Sequence, residues 1–168
     1  MSTPQFFFST GTIYVGDVGD TLDDTNIVGA VQSATFDPKF EVKEVREAAT
    51  INLWPVAVAM FDASGTLQIE IADFSEALIA YCTGAVKSTG GGNNVYTATT
   101  TSKPAFVQIK LVGELIDGRA ATLEIGRSRA PGLPLGFKRD DFVMPSAEFR
   151  IYPIDNDATP WKLTIATS

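Results

Sequence analysis

Apolar and polar residues alternate along most of this chain, the period-two signature of strands with one buried face. Across 33–43, Ala34, Phe36, Phe40 and Val42 oppose Ser33, Thr35, Asp37, Lys39, Glu41 and Lys43, which predicts a long strand. In 66–72, Leu67, Ile69 and Ile71 oppose Thr66, Gln68 and Glu70, after a turn at Ala63-Ser64-Gly65. In 106–116, Val107, Ile109, Leu111 and Leu115 alternate with Gln108, Lys110 and Glu114. Asp117-Gly118 then predicts a two-residue hairpin turn, with Ala121, Leu123 and Ile125 returning opposite Thr122 and Glu124. A last strand, 147–152, sets Ala147, Phe149 and Ile151 against Glu148, Arg150 and Tyr152.

One stretch, about 74–83, reads as a helix. Asp73 or Ser75 can cap it, Phe74, Leu78, Tyr81 and Cys82 follow at helical spacing, and Gly84 can end it. Two loops stand out. Thr89-Gly90-Gly91-Gly92-Asn93-Asn94 lacks the spacing and the Lys-Ser/Thr ending of a phosphate loop, and reads as a mobile connection. The stretch from about 45 to 62 is long and partly apolar, with Ile51, Leu53, Trp54, Pro55, Val56, Val58, Met60 and Phe61. Structureless loops of that length are usually functional or interface elements. The expected fold is therefore mostly β, a β-sandwich or barrel with one flanking helix and one long inter-strand loop.

At 168 residues, 45% of them hydrophobic, the chain can bury one good core and is short for two, so a single domain is expected across 1–168. The net charge is −7, whereas tight contact with DNA needs clustered cations, so attraction to nucleic acid is disfavoured. The charge is also uneven. Residues 1–38 hold Asp17, Asp20, Asp23, Asp24 and Asp37 and no cation, whereas 119–139 hold Arg119, Arg127, Arg129, Lys138 and Arg139 against Glu124. Copies stacked end to end could exploit that asymmetry. Phe6-Phe7-Phe8 is too short for a signal peptide and no stretch approaches a membrane span, so assembly in the cytoplasm without membrane insertion is expected.

Candidate chemistry is sparse. The chain has no histidine, which removes the usual general base near neutral pH, every Ser-His or Cys-His pair and the commonest transition-metal ligand. G-x-S-x-G, S-x-x-K, C-x-x-C and G-x-G-x-x-G are absent. Asp17, Asp20, Asp23 and Asp24 lack the alternate spacing of a calcium loop and read as a solvated loop. The lone Cys82 falls on the buried stripe of the helix and reads as a small core residue rather than a reactive thiol. Trp54 and Trp161 each adjoin a proline; they could be sugar-stacking platforms, but interface or core anchors suit them as well. No enzyme, cofactor or metal site is expected.

Taken in order, the long strand ending Glu41-Val42-Lys43-Glu44-Val45-Arg46, the long loop, the strand Gly65-Thr66-Leu67-Gln68-Ile69-Glu70-Ile71 and the helix at 74–83 form an arrangement that resembles the tail tube proteins of long-tailed bacteriophages. Gly11-Thr12-Ile13-Tyr14-Val15-Gly16, Ile27-Val28-Gly29-Ala30-Val31-Gln32-Ser33 and Phe137-Lys138-Arg139-Asp140-Asp141-Phe142 extend it over nearly the whole chain. It is a likeness of order and pattern rather than of a sharp motif.

The resemblance implies a β-sandwich whose copies join strands into hexameric rings, with the rings stacking into a hollow tube in the virion tail. It implies loop contacts between rings through Glu44, Arg46, Glu47, Trp54, Pro55 and Phe61. It also implies a polar strand face lining the channel, with Gln68, Glu70, Gln108, Lys110, Glu114, Thr122 and Glu124 as candidates. DNA would pass without specific binding, and a tape-measure protein, tail-tip or baseplate proteins and a terminator would be the partners. A secretion-system tube of related fold and a monomeric carbohydrate-binding β-sandwich are the alternatives.

Overall fold

A computed structural model describes residues 6–45, 57–134, 146–153 and 159–167. The elements in chain order are β1 (Phe6–Asp17), a 3-10 turn (Asp24–Asn26), β2 (Ile27–Val45), β3 (Ala57–Phe74) and α1 (Ala77–Thr83). They continue with β4 (Val86–Gly90), β5 (Asn93–Thr97), β6 (Val107–Leu115), β7 (Ala120–Arg129), β8 (Ser146–Ile151) and β9 (Trp161–Ile165). Seven strands form one antiparallel sheet in the order β6-β1-β2-β3-β8-β7-β9, and β6 also pairs with β7. The sheet thus curls until it nearly closes. The closing contact between β7 and β8 is short, Ser128 opposite Ile151 and Arg129 opposite Arg150, while β9 takes the first half of the same β7 edge, from Ala121 to Ile125.

The alternation in the sequence is what curls the sheet around a core. Ala34 and Phe36 of β2, Leu67, Ile69 and Ile71 of β3, Val107, Ile109 and Leu111 of β6, Leu123 and Ile125 of β7, and Ala147 and Phe149 of β8 all turn inward and are buried. Each such large side chain contributes on the order of 1.5–3 kcal/mol by leaving water. Phe8, Ile13 and Val15 of β1 complete the wall, and Phe6 stacks on Phe36 with ring centres 6.2 Å apart. The Phe6-Phe7-Phe8 run is therefore strand, with Phe7 on the solvent side.

The helix is shorter than 74–83, because Phe74 still pairs with Gly29 as the last residue of β3. Ser75 Oγ accepts from the Ala77 amide at 3.3 Å, and Leu78 and Cys82 are driven into the core. Gly84 ends the helix in the left-handed region (φ 68°), where its amide donates to the Ala80 carbonyl at 2.8 Å, as the sequence predicts.

Three expectations need correction. The turn at Asp117-Gly118 has three residues, not two: the Leu115 amide donates to the Arg119 carbonyl and the Gly118 amide to the Leu115 carbonyl, both at 2.9 Å. The glycine stretch at 90–92 is a hairpin turn rather than a mobile connection, since β4 and β5 pair from Val86 opposite Thr97 to Gly90 opposite Asn93. Gly91 and Gly92 both have positive φ (62° and 80°), which the mirror-image two-residue turn requires and which side chains resist. Finally, the long loop does not run across 45–62: β2 reaches Val45 and β3 already begins at Ala57.

Candidate assembly surfaces

The β2–β3 ladder is longer than the barrel it belongs to. Among the described residues, β1 meets β2 as far as Phe6 opposite Phe36, and β8 meets β3 as far as Ile151 opposite Gly65. Past that level β2 and β3 continue together, from Lys39 opposite Ser64 to Val45 opposite Ala57. This two-stranded arm is about 20 Å long at roughly 3.4 Å per residue. Among the described residues it pairs only with itself. Glu44 lies on it opposite Val58, and Phe61 opposite Glu41, so both are ladder residues rather than loop residues. Arg46, Glu47, Trp54 and Pro55 lie outside the described residues.

The polar residues expected to line a channel divide between two faces. Gln108, Lys110 and Glu114 alternate on β6 away from the core, and on β7 Glu124 stands opposite Lys110 and Thr122 opposite Val112. Lys162 of β9 reaches Glu124 at 3.6 Å, and Lys110 Nζ lies 5.6 Å from the centre of the Tyr14 ring. Gln68 and Glu70 are exposed on β3, where Glu70 accepts from Ser33 Oγ at 2.8 Å. Around the six strands β6-β1-β2-β3-β8-β7, β3 and β6 stand three places apart in either direction. The two sets therefore point to opposite sides of the barrel. Gln108 has a local task as well: it accepts from the Gly19 amide at 3.4 Å and donates to the Asp20 carbonyl, clamping the β1–β2 loop over β6.

That loop is acidic, and one of its carboxylates is already occupied. Asp23 accepts from the Thr25 amide at 2.8 Å and the Thr25 hydroxyl at 2.6 Å, as the cap of the 3-10 turn. The hydroxyl first, and then the amide, hold its carboxyl below the usual range. Among the described residues no group of three His, Cys, Asp or Glu is placed to hold a metal ion. Trp161 does not offer an open platform for sugars: it is half-buried and meets Phe36 edge-on, with ring centres 5.0 Å apart at 71°. Cys82 is fully buried, and that burial pushes its thiol up to about 12.

Two further groupings have no counterpart in the linear pattern. Glu76 Oε2 accepts from Tyr96 Oη and Asn94 Nδ2, each at 2.8 Å, and from Lys87 Nζ at 3.3 Å, so one carboxylate oxygen ties both strands of the β4–β5 hairpin to the start of α1. The second lies where β6 begins and β7 ends. Arg127 and Arg129 place their guanidinium carbons 3.9 and 3.8 Å from the centre of the Phe106 ring, and Tyr152 meets that ring edge-on at 5.4 Å. At such distances both guanidinium groups lie in contact with the ring. Between them Ser128 is buried and donates to the Val107 carbonyl at 3.1 Å, which fixes the strand that carries both arginines. A pair of basic residues two apart was legible in the sequence, but the aromatic ring they both contact was not. No family model and no curated protein matches the chain.

Proposed function

We propose that this protein is a non-enzymatic structural subunit that polymerises with copies of itself, as the tail tube protein of a long-tailed bacteriophage does. The observation that carries the reading is the β2–β3 arm. An isolated two-stranded ribbon is marginally stable in water, and this one runs past both flanking strands with its outer edges unpaired among the described residues. A surface on a neighbouring subunit would complete it. The outer edge of β9 is unpaired among the described residues as well, and an open edge that is joined between copies becomes an assembly device instead of an aggregation hazard.

The hexameric ring, the stack of rings and the passage of DNA come from the family resemblance. Because the β3 set and the β6–β7 set look in opposite directions, a channel can be lined by Gln68 and Glu70 or by Gln108, Lys110, Glu114, Thr122 and Glu124, but not by both. A secretion-system tube makes the same demands on the subunit, and assembly context separates the two. The carbohydrate-binding alternative loses Trp161 as a platform.

Electron microscopy of the purified chain at rising concentration tests the reading. Hollow rings or tubes are the expected result, and a strict monomer at every concentration, confirmed by sedimentation, would sink it.

A further inference from the structure

The uneven charge along the chain can now be resolved into groups that are spent and groups that are free to act. On the basic side, Arg119 is taken by Asp117 at 2.6 Å and Arg150 by Glu148 at 3.2 Å. Arg127 and Arg129 have no carboxylate within 4 Å among the described residues. On the acidic side, Asp37 is taken by Lys39 at 3.6 Å and Asp23 by its cap. Asp17, Asp20 and Asp24 are exposed and make no ion pair among the described residues.

Register then decides how two copies can use these groups. Val107 is the partner of Asp17 on one side and of Ser128 on the other, so the acidic loop and the two arginines that flank Ser128 sit in one row at the same end of the barrel. A stack of like-oriented copies along the strand direction joins opposite ends, so these patches cannot meet that way. Asp17–Asp24 and the Arg127–Arg129 pair are therefore placed for a sideways contact rather than for such a stack. The two patches are also separated by β6, which lets one subunit offer both at once.

We propose that the Arg127–Phe106–Arg129 clamp receives the Asp17–Asp24 loop of a second copy, as a lateral contact between subunits. The inference rests on the self-assembly reading and adds to it the residues of one interface. The chemistry suits it. Contact with the Phe106 ring holds the two guanidinium groups in place. A guanidinium so held loses little freedom when it binds a carboxylate. The second copy is the occupant favoured by charge, because Asp17, Asp20 and Asp24 and the basic clamp have no ion-pair partner among the described residues.

The test is a charge exchange in the full chain, followed by sedimentation and electron microscopy. R127E/R129E and D20K/D24K should each raise the concentration needed for assembly by on the order of ten-fold or more, and the combined variant should recover most of the loss. Rising salt should weaken the wild-type assembly in the same sense. Matching thermal unfolding of all variants would show that folding is not the cause. If the wild type forms tubes and both reversals do so equally well, the lateral contact is wrong and the tube reading stands. If the reversals weaken assembly but the combined variant recovers nothing, the pairing is likewise overturned. If the wild type stops at a dimer that the reversals dissociate and the exchange restores, the contact stands and the tube reading fails. A wild type that never associates overturns both.

Discussion

The β6–β7 and β4–β5 hairpins are built to the same plan and held by different forces. Both are antiparallel pairs closed at a turn with glycine in the left-handed region, Gly118 in one and Gly91-Gly92 in the other. In β6–β7 alternate side chains enter the core, so burial and pairing support each other. In β4–β5 every position is exposed except half-buried Tyr96, and even Val86 and Val95 keep 69% and 48% of their surface in water. That hairpin is specified by its turn and by the hydrogen bonds to Glu76. Strand structure alone is thus no sign of a core, and the two hairpins should respond to mutation in opposite ways.

The largest contrast should be in global stability. Leu123 is fully buried, and Leu123→Ala should cost about 2–5 kcal/mol through lost transfer energy and the cavity left behind. Val95→Ala should stay within about 0.5 kcal/mol, as surface changes do. Denaturant midpoints at constant slope check this, and equal losses would show that the second hairpin packs on the body after all.

A local effect should follow from the latch. Glu76→Ala removes the acceptor of three hydrogen bonds, so amide exchange in Val86–Thr97 should quicken while that of β6 and β7 stays unchanged. The same carboxylate gives the hairpin a pH dependence. Its pKa lies below the ordinary value of 4.5, chiefly through the Tyr96 hydroxyl and then Lys87. A depressed carboxyl pKa contributes stability that is complete above the ordinary value and is lost as pH falls through the lowered one. Protection of the hairpin should therefore hold from neutral pH down to about pH 5 and fall in more acidic solution. In Glu76→Ala that acid-dependent step should vanish, and a step that persists would assign the effect to another group.

What was legible in the sequence follows the same division. Where the period-two pattern was read, at Ala34 and Phe36, Leu67 to Ile71, Val107 to Leu111 and Ala147 to Ile151, the apolar face is buried. β1 was not foreseen as a strand, although Phe8, Ile13 and Val15 are buried, because its apolar positions do not alternate regularly. Pairing without burial leaves no such trace, so Val86–Gly90 and Asn93–Thr97 were not foreseen as strands. The boundary of α1 moved because Phe74 has an apolar side chain that fits either period, and pairing with Gly29 decided it. The β2–β3 arm was missed at Ala57–Asp62 because its support is a ladder to Glu41–Val45, a long-range fact rather than a local one. The Phe106 clamp depends on the ends of β6, β7 and β8 meeting in space, which no spacing along the chain records.

The smallest expected effect is the sharpest on whether the hairpin moves alone. Cys82 lies on the buried face of α1, the helix whose start carries Glu76. With its pKa pushed up to about 12, the thiolate at pH 8 is roughly one part in ten thousand, about a thousandfold less than for an ordinary exposed cysteine. Native protein should therefore resist a thiol reagent that labels the unfolded chain within minutes. In Glu76→Ala the hairpin should loosen while Leu78 and Cys82 keep the helix seated in the core, so the labelling rate should remain that of the wild type. Faster labelling in this variant would mean that helix and hairpin open as one unit, and the contrast between a buried ladder and a tethered one would have to be redrawn with α1 on the tethered side.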